Sequence, residues 1–168
     1  MARRVAIVAG CRTPFAQAGT ALSHMSPVQL GTLAVRELIN RAELDPDEVD
    51  HLIFGTVVPS IPAPNVAREV TIEAGLPPTV PAFTVSRACA SSNQAITSGA
   101  EMILNGQADV VVAGGVEVLS DVPILLSRAL RDGLVSASRA KSLAARMKIF
   151  AGIRPKHLAP ITPAIAEP

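Results

Sequence analysis

The segment 109–113, which is apolar after Asp109, is the feature that most constrains the fold of this chain. It contains three consecutive valines and shows no alternation between apolar and polar residues. Strands of this kind are buried on both faces, as in parallel sheets that have helices packed on each side. The run therefore predicts an α/β layered domain with a mostly parallel sheet.

The segments before this run alternate between strand and helix patterns. We expect further strands at residues 5–9, 52–57 and 81–85, and helices at 27–41, 65–74 and 89–104. Ser26 begins a capping box with proline at the first helical position, and Gly75 ends the second helix. The small apolar face of the third helix predicts burial between neighbouring elements.

Cys89 lies where the third predicted strand gives way to the third helix. A thiol there meets the positive end of the helix dipole and unpaired backbone N–H groups, which favour a thiolate and can hold a developing oxyanion. Free cysteine is also a small apolar residue that protein cores use freely, so a structural role stays open. Cys89 is thus the candidate nucleophile, and Cys11 is interpreted as a buried structural thiol.

Composition excludes several classes of protein. The chain has 168 residues, 49% of them apolar, a mean hydropathy of +0.38 and no Trp or Tyr, which predicts one aliphatic core. Two cysteines make no disulfide framework, and neither a zinc-ligand spacing nor a dinucleotide or Walker A fingerprint is present. We expect no metal, no nucleic-acid partner and a reducing, cytoplasmic location.

Charge is distributed unevenly along the chain. Residues 1–127 carry seven Lys and Arg against twelve Asp and Glu, a net −5, whereas residues 128–168 carry eight against two, a net +6. Within residues 124–150, helical spacing would separate apolar and basic faces, which suits an anionic ligand, a membrane surface or an acidic partner. A solvated helix is the alternative.

Three stretches resemble motifs of the thiolase family. They are VAIVAGCRTPF at 5–15, VSRACASS at 85–92 and VVVAGGVEVLS at 110–120. The segments CASSNQA at 89–95 and SDVPI at 120–124 are most similar to the branch that contains the beta subunit of the trifunctional complex of fatty-acid oxidation. The resemblance covers the N-terminal half of the family pattern only.

The resemblance implies a thiolase-like layered fold, with a core domain at residues 1–120 and the beginning of a truncated loop domain at 121–168. It implies thiolytic cleavage of a 3-ketoacyl-CoA, or the reverse condensation, through an acyl thioester on Cys89. The backbone N–H of Cys89 would supply one donor of the oxyanion hole. Coenzyme A would be a substrate, with no metal or prosthetic group as cofactor.

The family's Asn-Glu-Ala-Phe, Gly-His-Pro and Cys-x-Gly segments do not occur in this sequence. His24, His51 and His157 stand in other contexts and are interpreted as surface residues. We therefore expect a C-terminal half from a longer chain or a second polypeptide. Other expected partners are acyl-CoA and CoA, a second copy in a homodimer, and a hydratase/dehydrogenase subunit; the residues that bind CoA are left unassigned.

Two alternatives remain open from the sequence. One is a condensing enzyme related to ketoacyl synthases, which also place a cysteine at a helix start; the wording Gly114-Gly115-x-Glu117 favours a thiolase. The other is a catalytically silent half-thiolase that serves as a dimerisation or scaffold module. Glu117 is interpreted as ordering its glycine turn rather than acting as a base.

Overall fold

The computed structural model describes residues 3–161 of the chain. These residues form two compact units, one that extends to Asp121 and one that begins at Val122. The first unit contains the sheet and the helices that pack on it. None of the helices in this described stretch is both long and apolar enough to cross a membrane.

The sheet has three parallel strands in the order β2-β1-β3. Strand β1 spans His51–Gly55, β2 spans Ala82–Val85 and β3 spans Val111–Gly115. Leu52 in β1 aligns with Ala82 on one side and Val112 on the other. Because the strands run parallel, Gly55, Val85 and Gly115 all lie at the carboxyl edge of the sheet.

Helices cover both faces of the sheet. Helices α1 (Pro27–Ala42) and α2 (Val66–Ala74) pack over the face that carries Leu52, Phe54 and Val112. Helix α3 (Ser91–Leu104) packs on the opposite face, where a Cβ at Gly99 would lie only 2.9 Å from Val111. The predicted α/β layering around a parallel sheet is confirmed.

The capping signals place the helix ends close to their predicted positions. At the start of α1, the Ser26 hydroxyl accepts from Gln29 N at 3.2 Å and the Gln29 side chain accepts from Ser26 N at 2.8 Å. Gly75 ends α2 with a φ of +88°, a conformation that glycine adopts without steric cost. Helix α3 begins at Ser91, two residues later than predicted, because Cys89 lies in the preceding turn.

The prediction of a buried strand at residues 5–9 is wrong for this structure. The segment is not a strand, and the side chains of Ile7 and Val8 are 84% and 90% exposed. Arg3 fixes its beginning by donating to the carbonyls of Ile103 and Ala108, both at 3.2 Å. The apolar pattern is present, but no strand within residues 3–161 pairs with it.

Two predictions of complete burial also need correction. In β3 only Val112 is fully buried, because this strand lies at an edge of the described sheet. Helix α3 buries Ser91, Ala95 and Gly99, whereas Ile96 and Leu104 are 43% and 52% exposed. The described chain covers one side of the helix, so its small-residue face is buried along a single narrow stripe.

The second unit contains helices α4 (Arg128–Arg139) and α5 (Leu143–Ala151), which pack against each other. Leu130 and Ala137 of α4 are buried, while several large apolar side chains of the unit remain exposed. Leu125 pairs with Ile161 through an antiparallel bridge.

Asp50 ties the beginning of β1 to the beginning of β3. Its Oδ2 accepts from Asp109 N at 2.7 Å and from Val110 N at 3.0 Å. The hydrogen bond from Val110, then that from Asp109 and the nearby His51 charge, hold the pKa of the Asp50 carboxyl below its ordinary value. The ionised form of Asp50 therefore favours the folded chain.

We predict that Asp50→Asn destabilises the protein at pH 7 and that the difference shrinks under acid conditions. Because the folded-state pKa lies below the unfolded value of about 3.9, the contribution is fully present above that pH and is lost as pH falls through the folded pKa. Urea unfolding at several pH values measures it. Asp47→Asn, which removes an exposed carboxylate, is the control; equal pH dependence in both variants would contradict the prediction.

Candidate active site

A cavity of about 570 Å³ opens at the carboxyl edge of the sheet in the first unit. Its walls come from five parts of the chain. They are the segment 11–18, the beginning of α1, the loop 55–57 after β1, the turn 88–92, and the segment 115–120 after β3. Ligand sites of open parallel sheets commonly lie at this edge, so the cavity is the candidate active site.

Cys89 is exposed and lines this cavity. The turn that carries it is closed by Ser91, whose hydroxyl accepts from Arg87 N at 2.8 Å and donates to Ala88 O at 2.6 Å. Ala88 has a φ of +45°, a left-handed conformation that costs a residue with a Cβ about 1–2 kcal/mol. The hydrogen bonds of Ser91 thus hold the strained backbone of the turn that carries the thiol.

The start of α3 lies directly after this thiol. Ala90 is the N-cap residue and makes no side-chain capping hydrogen bond. Its side chain therefore occupies none of the N–H groups of the first turn, although the N–H of Ser91 donates to Ala88 O at 3.1 Å. This agrees with the sequence-based interpretation of Cys89, whose role stays a prediction.

Close backbone packing fixes the turn against the sheet. A Cβ added at Gly55 would lie 2.5 Å from Ser92 N and 2.6 Å from Ser91 O. A Cβ at Gly115 would lie 2.6 Å from Gly55 O and closer still to the Ser92 hydroxyl. Only glycine fits at the ends of β1 and β3, and this lets the sheet touch the first turn of α3.

Glu117 is the residue whose role the sequence did not reveal fully. Its carboxylate reaches across to the loop after β1, where it accepts from Val57 N at 2.7 Å and from Val58 N at 3.3 Å. The motif Gly114-Gly115-x-Glu117 predicts that Glu117 orders its own turn. The structure shows that it holds a loop about 60 positions earlier in the chain.

The remaining candidates behave differently from Cys89. Cys11 also lines the cavity, but it is half-buried and its thiol donates to Ala34 O at 3.1 Å. Among the described residues no histidine lines the cavity; His24 is exposed, and His51 and His157 are partly exposed. The cavity therefore offers a thiol without an imidazole beside it.

Across residues 3–161, no group of three His, Cys, Asp or Glu side chains lies close enough together to hold a metal ion. Glu117 is the acidic residue and Arg12 the basic residue among those that line the cavity. What the arrangement can perform is nucleophilic attack by a thiol beside a helix start.

Comparison with known proteins identifies relatives over most of the chain. The family described as "Thiolase, N-terminal domain" matches residues 5–159. A "3-ketoacyl-CoA thiolase" of Pseudoalteromonas translucida is 45% identical over 98% of this chain and 38% of its own length. "Trifunctional enzyme subunit beta, mitochondrial" of Bos taurus is 44% identical over 98% of this chain and 35% of its own length.

A solved structure is similar to this chain in fold. The acetyl-CoA acetyltransferase of Bacillus anthracis superposes with a TM-score of 0.64 and 40% identity over 66% of this chain and 28% of its own. The chain thus spans little more than a third of the length of the curated relatives described here.

We predict that Gly55→Ala destabilises the protein by about 1–3 kcal/mol, since the added Cβ collides with backbone that cannot move aside cheaply. The same variant should slow the transfer of acetyl from acetyl-CoA to Cys89 by moving its turn. Urea unfolding and mass spectrometry of the modified peptide measure the two effects.

Gly10→Ala is the matched control, because a Cβ at Gly10 meets nothing within 4 Å. We expect it to change stability by less than about 0.5 kcal/mol. If Gly55→Ala is as well tolerated as Gly10→Ala, the close packing does not fix the turn.

Proposed function

The chain belongs to the thiolase family, and from that premise we propose that it forms the nucleophile-bearing part of a 3-ketoacyl-CoA thiolase. The family membership confirms the resemblance found in the sequence. The observation that carries the proposal is the placement of Cys89 on a strained, hydrogen-bonded turn that faces a cavity.

In the proposed reaction the thiolate of Cys89 attacks the keto carbon of a 3-ketoacyl-CoA. The bond between the second and third carbons breaks, acetyl-CoA leaves as its carbanion and takes up a proton, and the shortened acyl group stays on sulfur as a thioester. The thiolate of incoming CoA then attacks this thioester and frees Cys89. Developing negative charge on the carbonyl oxygen is held by the backbone N–H of Cys89 and a second donor.

The proton transfers in this scheme need groups beyond the described cavity. A thiol is a weak nucleophile until a base removes its proton, and a carbanion needs an acid. No histidine among the described residues lines the cavity. We therefore propose that a further part of the polypeptide, or a second chain, supplies the acid–base groups and the second oxyanion donor.

We propose that residues 121–168 begin a loop domain that contacts coenzyme A. The described part of this segment carries eight Lys and Arg against two acidic residues, Asp121 and Asp132. Cationic side chains suit the phosphates of CoA through charge-assisted hydrogen bonds. The exposed apolar side chains within residues 124–150 also suit contact with a membrane surface.

The proposed assembly includes one partner that the name of a relative supports. A homodimer of the completed thiolase is our proposal for its oligomeric state. The similarity to a trifunctional enzyme beta subunit supports a hydratase/dehydrogenase subunit as a further partner. The cytoplasm is the proposed location. Coenzyme A is proposed as a substrate, and no cofactor is part of the proposal.

We predict that Cys89→Ala lowers thiolysis by the completed protein by about 10³-fold or more, because no acyl thioester can form. Mass spectrometry of the protein isolated from its source, before and after acetyl-CoA, should show an acetyl adduct on Cys89 in the unsubstituted protein only.

Cys11→Ala is the control for general effects of thiol removal, since Cys11 lines the same cavity. It should keep the adduct on Cys89. Thiolysis retained by Cys89→Ala would refute the nucleophile assignment, and an unsubstituted protein that forms no adduct would favour a silent scaffold module.

A further inference from the structure

Glu117 is exposed, yet its carboxylate accepts hydrogen bonds from the loop after β1. One oxygen, Oε2, lies 2.7 Å from Val57 N and 3.3 Å from Val58 N, and Oε1 also lies 3.3 Å from Val58 N. Hydrogen bonds to an ionised acceptor are about twice as strong as neutral ones. Two successive N–H groups of the loop after β1 therefore share one charged acceptor.

The loop that Glu117 holds is in contact with the start of α3. It begins at Gly55, whose carbonyl accepts from Val116 N at 3.0 Å. Gly55 packs so closely on Ser91 and Ser92 that a Cβ has no space there. A displacement of the loop is thus passed directly to the first turn of α3.

That first turn is also the one that orients Cys89. Ser91 closes the turn through its hydrogen bonds with Arg87 N and Ala88 O. If Ser91 shifts, both hydrogen bonds shift with it, and the strained conformation of Ala88 loses its support. Glu117 is therefore linked to the thiol by direct contacts at every step.

We propose that Glu117 is a positioning residue for Cys89: it clamps the loop after β1 and so holds the turn that presents the thiol to the cavity. The proposal rests on the proposed function where it concerns acyl transfer. Both carboxylate oxygens of Glu117 accept hydrogen bonds from the backbone of this loop.

The test compares Glu117→Ala and Glu117→Gln with the unsubstituted full protein by amide hydrogen exchange. Loss of a charged acceptor should speed exchange at Val57 and Val58 by about tenfold in Glu117→Ala. The clamp predicts a comparable rise at residues 87–92, with no change in α2, which serves as internal reference. If faster exchange stays confined to Val57 and Val58, the proposal is overturned.

Glu117→Gln tests whether both carboxylate oxygens are needed. It keeps the side-chain length and one acceptor oxygen, but its NH₂ group cannot accept from Val58 N. Exchange should therefore rise more at Val58 than at Val57. Equal protection in Glu117→Gln and the unsubstituted protein would show that the paired carboxylate contact is not needed.

A functional readout separates positioning from general stability. In Glu117→Ala, transfer of acetyl from acetyl-CoA to Cys89 should fall by about tenfold, while alkylation by the small reagent iodoacetamide changes by less than about twofold. Glu101→Gln, at an exposed carboxylate of α3 without a side-chain hydrogen bond to the described residues, is the matched control. Unchanged acetyl transfer in Glu117→Ala would overturn the positioning role.

Failure of the clamp and failure of the proposed function give different results. If the unsubstituted protein takes no acetyl group, the thiolase proposal fails, and the hydrogen exchange at residues 87–92 still decides whether Glu117 holds the turn. If the unsubstituted protein is acetylated and Glu117→Ala exchanges normally at that turn, only the clamp is refuted.

Discussion

The contact between two glycine-ended strands and the first turn of α3 is the constraint on which the site depends. Gly55 and Gly115 leave no space for a Cβ, so the carboxyl edge of the sheet meets the backbone of Ser91 and Ser92 directly. Protein interiors are packed at near-crystalline density, and a contact without intervening side chains transmits displacement rather than absorbing it. The turn that carries Cys89 is thereby positioned by the sheet itself.

Carboxylates hold the same pair of strands at both ends. Asp50 precedes β1 and accepts from two successive N–H groups that lead into β3. Glu117 follows β3 and accepts from two successive N–H groups of the loop after β1. Each strand thus supplies a side chain that binds the backbone next to the other, which fixes the parallel register where the chain leaves the sheet.

Local signals account for what the sequence predicted well. The helix starts at Ser26 and Asn65 and the end at Gly75 depend on contacts within a few residues, and their patterns can be read directly. Cys89 was found in the same way, as a thiol beside a predicted helix start. The target of Glu117 was missed because the hydrogen bonds join segments about 60 residues apart, a separation that no local pattern encodes.

Burial was predicted least well, and the reason is physical. An apolar pattern shows that a segment gains free energy when water is removed from it, about 25 cal/mol per Å². It does not show which part of a protein removes the water. Ile7 and Val8, and Ile96 and Leu104 on α3, carry patterns of buried elements yet remain exposed in the described chain.

At the site, the positioning of the Cys89 thiol and its activation likewise depend on different groups. The geometry of the thiol is determined by contacts between β1, β3 and α3, all of which lie within the described first unit. Activation of the thiol needs a proton acceptor, and the described cavity places none of the chain's histidines beside it. A nucleophile can therefore be presented by one part of a polypeptide and activated by another, provided that the presenting part is rigid. Hydrogen-bonded backbone at Ala88, glycines without space for a side chain and the charged clamp of Glu117 act together to provide that rigidity.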